Sequence, residues 1–135
     1  MPVIKGAQVV EAMGGRITKQ VEELKNAGVE PCLAILRVGE DGSQMAYERG
    51  ARNRLDKYGI KCETTALDID VSQEDFEKAF RGLNEDAAVH GILILQPLPK
   101  SLSIESIKNE INPLKDVDAI SPMTLYRVFA WDKQA

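Results

Sequence analysis

Three short stretches of this 135-residue chain bring together side chains that could hold a ligand or work on one. The first, VGEDGSQMAY (38–47), is a turn-rich segment ending on a tyrosine. Tyr47 offers a flat face for stacking and a hydroxyl for hydrogen bonding. It also shares helical spacing with Leu55, so spacing alone leaves core packing open beside ligand stacking. The second is QPLP (96–99), where an apolar run ends on one amide side chain, Gln96. Pro97 and Pro99 stiffen this loop and remove backbone donors, and Leu98 stands between them. A rigid apolar lip with a single amide suits an uncharged heterocycle; a tight strand-to-helix connection with no ligand explains it equally well. The third is KDVDAISP (115–122). Asp116 and Asp118, two apart, are expected on one side of an extended segment. A carboxylate there can accept two donors from an amino-pyrimidine edge. A solvated acidic loop is the other reading.

Other chemistries find little support. Gly39 and Gly42 lack the third glycine and the spacing that seat a pyrophosphate on a helix end, and no Walker-type lysine follows. No cofactor-phosphate site is therefore expected in this chain. Cys32, Cys62 and the single His90 make neither a disulfide framework nor a metal cage. His90 precedes an apolar run and is expected at a strand entry. The net charge of −4, with 17 scattered basic residues, argues against a nucleic-acid or anionic-membrane partner. No apolar run reaches the roughly 18 residues of a membrane span. MPVIKGAQVV lacks the pattern of a leader, so a cytoplasmic protein is expected.

The elements that must position these stretches follow from periodicity. Val10, Met13, Ile17, Val21 and Leu24 keep helical spacing across Gly14 and Gly15, predicting a long first helix ending near Gly28. Cys32 to Leu36 is a continuous apolar run, suited to a strand buried on both faces. A second helix carries Tyr47, Ala51, Leu55 and Tyr58 on one side and stops at Gly59. Ile60 to Leu67 reads as a more polar strand nearer an edge. Ser72 caps a third helix, with Asp75 three residues on and an inward stripe of Phe76, Ala79, Phe80 and Leu83. GILIL (91–95) is the clearest buried strand. Ser103 starts a short helix with Ile104, Ile107 and Ile111 inward, and Pro122 to Trp131 reads as weakly helical. Strands alternating with helices predict a three-layer α/β/α fold around a mainly parallel sheet of about four strands. Ligands in such sheets bind beyond the carboxyl ends of the strands, which marks 38–47 and 96–102 as site walls.

VGEDGSQMAY (38–47), VHGILILQPLPK (89–100) and INPLKDVDAISP (111–122), in this order and at these separations, resemble the three signature stretches of the bifunctional methylenetetrahydrofolate dehydrogenase/cyclohydrolase family. The resemblance covers essentially the whole chain. It implies an amino-acid-dehydrogenase-like N-terminal domain over 1–135 that binds folate, with an NAD(P)-binding Rossmann domain outside this chain. It also implies a reduced-folate substrate, N5,N10-methylenetetrahydrofolate, hydride transfer to NAD(P), and a homodimer at full length. The cofactor would be bound by the full-length enzyme and not by this chain, which alone would be inactive. Carried over residue by residue, Tyr47 stacks on the folate and Asp118 anchors the pterin. Gln96, Pro97 and Leu98 complete the substrate site, with Tyr47, Gln96 and Asp118 as the catalytic set.

Three departures from the family pattern stand out. Ala51 replaces the usual lysine one helical turn after the tyrosine. The order Leu95-Gln96-Pro97 shifts the family's glutamine by one place, and neighbours in extended chain face opposite ways, so Gln96 is expected to be aimed differently. Gln44 replaces the serine three before the tyrosine, with Ser43 one place earlier. Together they imply a dehydrogenase with little cyclohydrolase activity. Two alternatives stay open: the substrate domain of an amino-acid- or shikimate-type dehydrogenase, and a non-enzymatic folate-binding module.

Overall fold

The apolar run after Pro31 becomes the centre of the sheet. In the computed structural model, which describes residues 5–131, it forms β1 (Cys32–Val38), buried at every position except the half-buried Leu33. β2 (Lys61–Leu67) and β3 (Gly91–Ile94) pair with it in parallel on either side, in the order β2-β1-β3. Burial in β2 alternates and none of its residues is fully buried, as its polar composition predicts for an edge. Residues 1–4, within the stretch read as leaderless, and 132–135, at the close of the expected domain, lie outside the described residues.

The helices are α1 (Gly6–Asn26), α2 (Gly42–Lys57), α3 (Gln73–Glu85), α4 (Glu105–Glu110) and α5 (Pro122–Phe129). No helix among the described residues is long and apolar enough to cross a membrane. The chain steps from β1 to β2 in one direction and from β2 past β1 to β3 in the other. Crossovers of one hand then require α2 and α3 on opposite faces. Packing agrees. Ala34, Leu36, Val38, Ile92 and Ile94 meet Phe76 and Phe80 of α3 with Ile107 of α4. Ile35, Leu93 and Leu95, on the other face, meet Ala51 of α2. Phe76 and Phe80 are fully buried, each burial contributing about 1.5–3 kcal/mol. The Ser72 side chain accepts from Asp75 N–H and caps α3 as expected.

One expectation of the fold is corrected. The sheet has three strands among the described residues, not about four. The extra segment, 111–118, reaches the free edge of β3 but makes only one bridge, between Ile92 and Asp116, where Ile92 N–H donates to Lys115 O at 2.7 Å. Turns on both sides of Asp116 stop the ladder from extending. Gly91 permits this approach, since a Cβ there would lie 2.8 Å from Val117 Cγ1 and 3.0 Å from Leu33 Cδ1. The long first helix forms as expected and ends at Asn26. The helix forms across Gly14 and Gly15, yet of its apolar stripe only Val21 is buried. Val10, Met13 and Leu24 stay 41–47% exposed. Periodicity identifies an amphipathic face but not what covers it.

Candidate functional site

A cleft of about 350 Å³ opens at the carboxyl ends of β1 and β3. Its walls are Ser43, Gln44 and Tyr47 from the start of α2, Leu93 to Gln96 from the end of β3, and Asp118. The location follows from topology. The chain leaves β1 toward one neighbour, and the segment after β3 departs on the other side, so the two connections part and leave a crevice.

Tyr47 is 59% exposed and lines the cleft, so it is not a core residue. Its orientation is set by how α2 begins and how α2 is tied down. Asp41 caps the helix, accepting from Ser43 N–H at 3.0 Å, from Gln44 N–H at 3.1 Å and from the Ser43 hydroxyl. The Ser43 hydroxyl, then the Gln44 N–H, hold its carboxyl below the usual range. One residue after Tyr47, Glu48 turns inward to Arg37 of β1, whose Nε donates to Glu48 Oε2 at 2.8 Å. Arg37 also donates to Gly39 O, and Thr64 of β2 donates to Glu48 Oε1 at 2.7 Å. Burial pushes the Glu48 carboxyl up, but hydrogen bonds from Thr64 and Arg37, with the Arg37 charge, outweigh it and leave the group below its ordinary value. β1, β2 and α2 are thereby tied together directly beneath Tyr47.

Gln96 is exposed and lines the cleft beside the buried Leu95. Pairing with β1 continues one residue past β3, where Leu95 N–H donates to Leu36 O at 3.0 Å, and the chain bends at Gln96 and Pro97. Pro97 and Leu98 are not among the lining residues. Pro97 follows a cis peptide bond, and its carbonyl accepts from Gln44 Nε2 at 2.8 Å. Leu98 packs against the core on the α3 side.

The two aspartates part company, which corrects the expectation that they share a side. The segment is a turn, with Ala119 at φ +51, and not an extended strand. Asp116 is buried and accepts from Ile120 N–H at 3.0 Å and Ser121 N–H at 2.9 Å. Ser121 in turn caps α5 by accepting from Thr124 N–H at 3.0 Å. Asp118 is the exposed one and reaches the cleft. Asp116 builds the turn and Asp118 is displayed by it.

Ala51 packs against the Ile35–Leu93–Leu95 cluster and lines a second hollow of about 390 Å³, which shares Tyr47 and Leu93 with the first. No lysine lines either hollow. Lys57 lies over the Tyr58 ring at 5.9 Å, and Lys61 pairs with Glu63 at 2.6 Å. His90 sits at the amino end of β3, where its Nδ1 accepts from Cys32 N–H at 3.2 Å, as expected of a strand-entry residue. Sequence reasoning missed Gln44 as a tie between the cleft walls and Arg37–Glu48 as their support. A charged Arg37 inside an otherwise apolar strand was the available signal for the second.

The turn before α2 does not fit a dinucleotide phosphate. Asp41 already takes the first free N–H groups of the helix, and its charge opposes an anion there.

Comparison with known proteins places these observations. Residues 4–118 match the family described as tetrahydrofolate dehydrogenase/cyclohydrolase, catalytic domain. Two relatives, both called bifunctional protein FolD, come from Alkaliphilus metalliredigens (strain QYMF) and Clostridioides difficile (strain 630). They are 43% and 40% identical to this chain over 131 residues, covering 97% of it and 46% of each relative. The chain thus spans about half the length of the curated relatives it matches. Among solved structures, a Trypanosoma brucei N5,N10-methylenetetrahydrofolate dehydrogenase-cyclohydrolase complexed with NADP and an inhibitor superposes with a TM-score of 0.83. It is 28% identical and matches over 95% of this chain and 45% of that one. The Campylobacter jejuni bifunctional enzyme gives a TM-score of 0.77 at 30% identity, over 87% of this chain and 43% of that one.

Proposed function

The chain belongs to the tetrahydrofolate dehydrogenase/cyclohydrolase family, and from that premise we propose that residues 1–135 form a folate-binding catalytic domain. The observation that carries this is convergence: Tyr47, Gln96 and Asp118, from three separate stretches, line one cleft at the carboxyl ends of the strands. The Tyr47 ring stacks on the pterin, Asp118 accepts the paired donors of its amino-pyrimidine edge, and Gln96 addresses the heterocycle with its amide. Leu93 and Leu95 give the ring an apolar wall.

The whole protein then oxidises 5,10-methylenetetrahydrofolate, with NAD(P) as the hydride acceptor. Since the turn before α2 does not suit a dinucleotide, the cofactor would be held by a part of the protein outside these 135 residues. The chain's own contribution is to bind and orient the folate. Ala51 offers no group to exchange a proton beside the tyrosine, which supports weak hydrolysis of the methenyl product. The apolar residues that α1 and α5 leave exposed, among them Met13, Leu125 and Phe129, support assembly into a homodimer at full length.

Calorimetric titration of the chain with tetrahydrofolate tests the reading. Saturable binding with one site per chain is the expected result; no heat at millimolar ligand, with the fold intact by circular dichroism, would refute it.

A further inference from the structure

Gln44 is 7% exposed, lines the cleft, and splits its amide between two tasks. Its Nε2 donates to Pro97 O at 2.8 Å, which joins the start of α2 to the loop after β3. Its Oε1 is buried and is the one buried side-chain polar atom among the described residues without a partner. The amide cannot be turned round to relieve this. Pro97 O only accepts, so a flipped amide would set two oxygens against each other at hydrogen-bond distance. The acceptor is thus held in place by the bond on the other side of the same group. A buried acceptor left unmade is costly, and native proteins rarely leave one so without a reason in function.

We propose that Gln44 is a specificity-determining residue whose Oε1 accepts a hydrogen bond from a ring N–H of the molecule bound in the cleft, and so selects the reduced pterin ring over the oxidised one. The inference rests on the folate reading above. The chemistry that separates the two rings is simple. In fully oxidised folate the nitrogens N5 and N8 carry no hydrogen and only accept. In tetrahydrofolate both carry one, and in the 5,10-methylene form N8 keeps its own. A fixed acceptor in the wall rewards the N–H and repels the bare nitrogen, because the mismatch leaves two acceptors facing with no proton between them. A site built to hydrogen-bond a substrate N–H discriminates strongly for this reason. Seating the ring against this wall also supplies the donor that Oε1 lacks.

The test compares tetrahydrofolate and folate as calorimetric ligands for the wild-type chain, Gln44→Met and Gln44→Lys, each checked for folding by circular dichroism. Methionine keeps the volume and removes both polar atoms, whereas lysine keeps a donor for Pro97 O and carries no acceptor. The wild type should prefer tetrahydrofolate. Gln44→Met should cut that preference by about tenfold, through weaker tetrahydrofolate binding, and Gln44→Lys should lose it as well although the loop stays tied. Equal weakening of both ligands in Gln44→Met would mean that the residue only ties the loop, and would overturn the proposal. So would a preference that survives in Gln44→Lys, which decides the matter even if the methionine variant does not fold. A wild type that binds both ligands equally overturns this inference and leaves the folate site standing. A wild type that binds neither removes both.

Discussion

Asp116 and Asp118 are two positions apart and differ in everything that matters for their roles. Asp116 spends its carboxylate on two backbone N–H groups of its own turn, while Asp118 stands exposed on the cleft rim. Their alanine variants should therefore separate. Asp118→Ala should weaken tetrahydrofolate binding by on the order of 1.5–3 kcal/mol, the scale of a hydrogen bond to a charged group, with thermal stability unchanged. Asp116→Ala should lower both, because the turn that displays Asp118 and the cap of α5 lose their anchor. Titration beside thermal melts of the two variants checks this, and identical profiles would contradict the division of labour. Ala51 makes the second residue-scale prediction. In the full-length protein, Ala51→Lys should raise methenyltetrahydrofolate hydrolysis, since a positioned proton-exchanging group contributes typically 10²–10⁴ in rate. Arg52 cannot substitute: it is engaged with Thr64 and Cys62 O, and a guanidinium keeps its proton. Vigorous hydrolysis by the unmodified enzyme would count against the idea.

At the scale of elements, the cleft depends on how α2 is held to the sheet. Glu48 and Arg37 form a pair whose side chains are only 14% and 10% exposed, joined by Thr64 from β2. Replacing Glu48 by Gln leaves Arg37 charged and poorly matched, at a cost on the order of 3 kcal/mol near neutral pH. The pH dependence follows from the direction of the shift. The Glu48 carboxyl titrates lower in the fold than in the unfolded chain, where its value is about 4.3. The folded state therefore gains from it fully above that value and loses the gain as pH falls through the lower, folded value. Urea unfolding between pH 7 and pH 3 should show a shallower acid loss for Glu48→Gln than for the wild type. Parallel acid limbs would show that the pair does not couple to folding.

The described residues present a sheet with a buried centre, a cleft at the carboxyl ends of its strands, and helices that leave apolar side chains in solvent, including Met13 of α1 and Phe129 of α5. The chain should bind reduced folate without oxidising it. Hydride transfer needs donor and acceptor carbons within about 3–3.5 Å, and the turn before α2, whose first N–H groups Asp41 already takes, does not suit a dinucleotide phosphate. Mixing the purified chain with methylenetetrahydrofolate and NAD(P) should give no absorbance of reduced cofactor. Its appearance would show that a nicotinamide site had been overlooked.

What the sequence determined by itself is what depends on near neighbours along the chain. The Ser72 cap, the Phe76–Phe80 stripe, the buried GILI strand and the polar edge of β2 all follow from periodicity and local hydrogen bonding, and all appear as expected. The match of three long stretches to a family likewise needed only the order of residues. Tertiary structure decided whatever depends on which surface lies opposite. Tyr47 has the spacing of a core residue, and it is exposed because the Arg37–Glu48 pair fixes the rotation of α2. Asp116 went inward because Ala119 adopts a left-handed turn that brings Ile120 and Ser121 N–H back onto it. Gln44 became a tie because Pro97, 53 positions away, returns its carbonyl to the start of α2. The stripe of α1 stayed exposed for the same reason, in reverse: periodicity marks a face for burial, and only a partner surface can bury it.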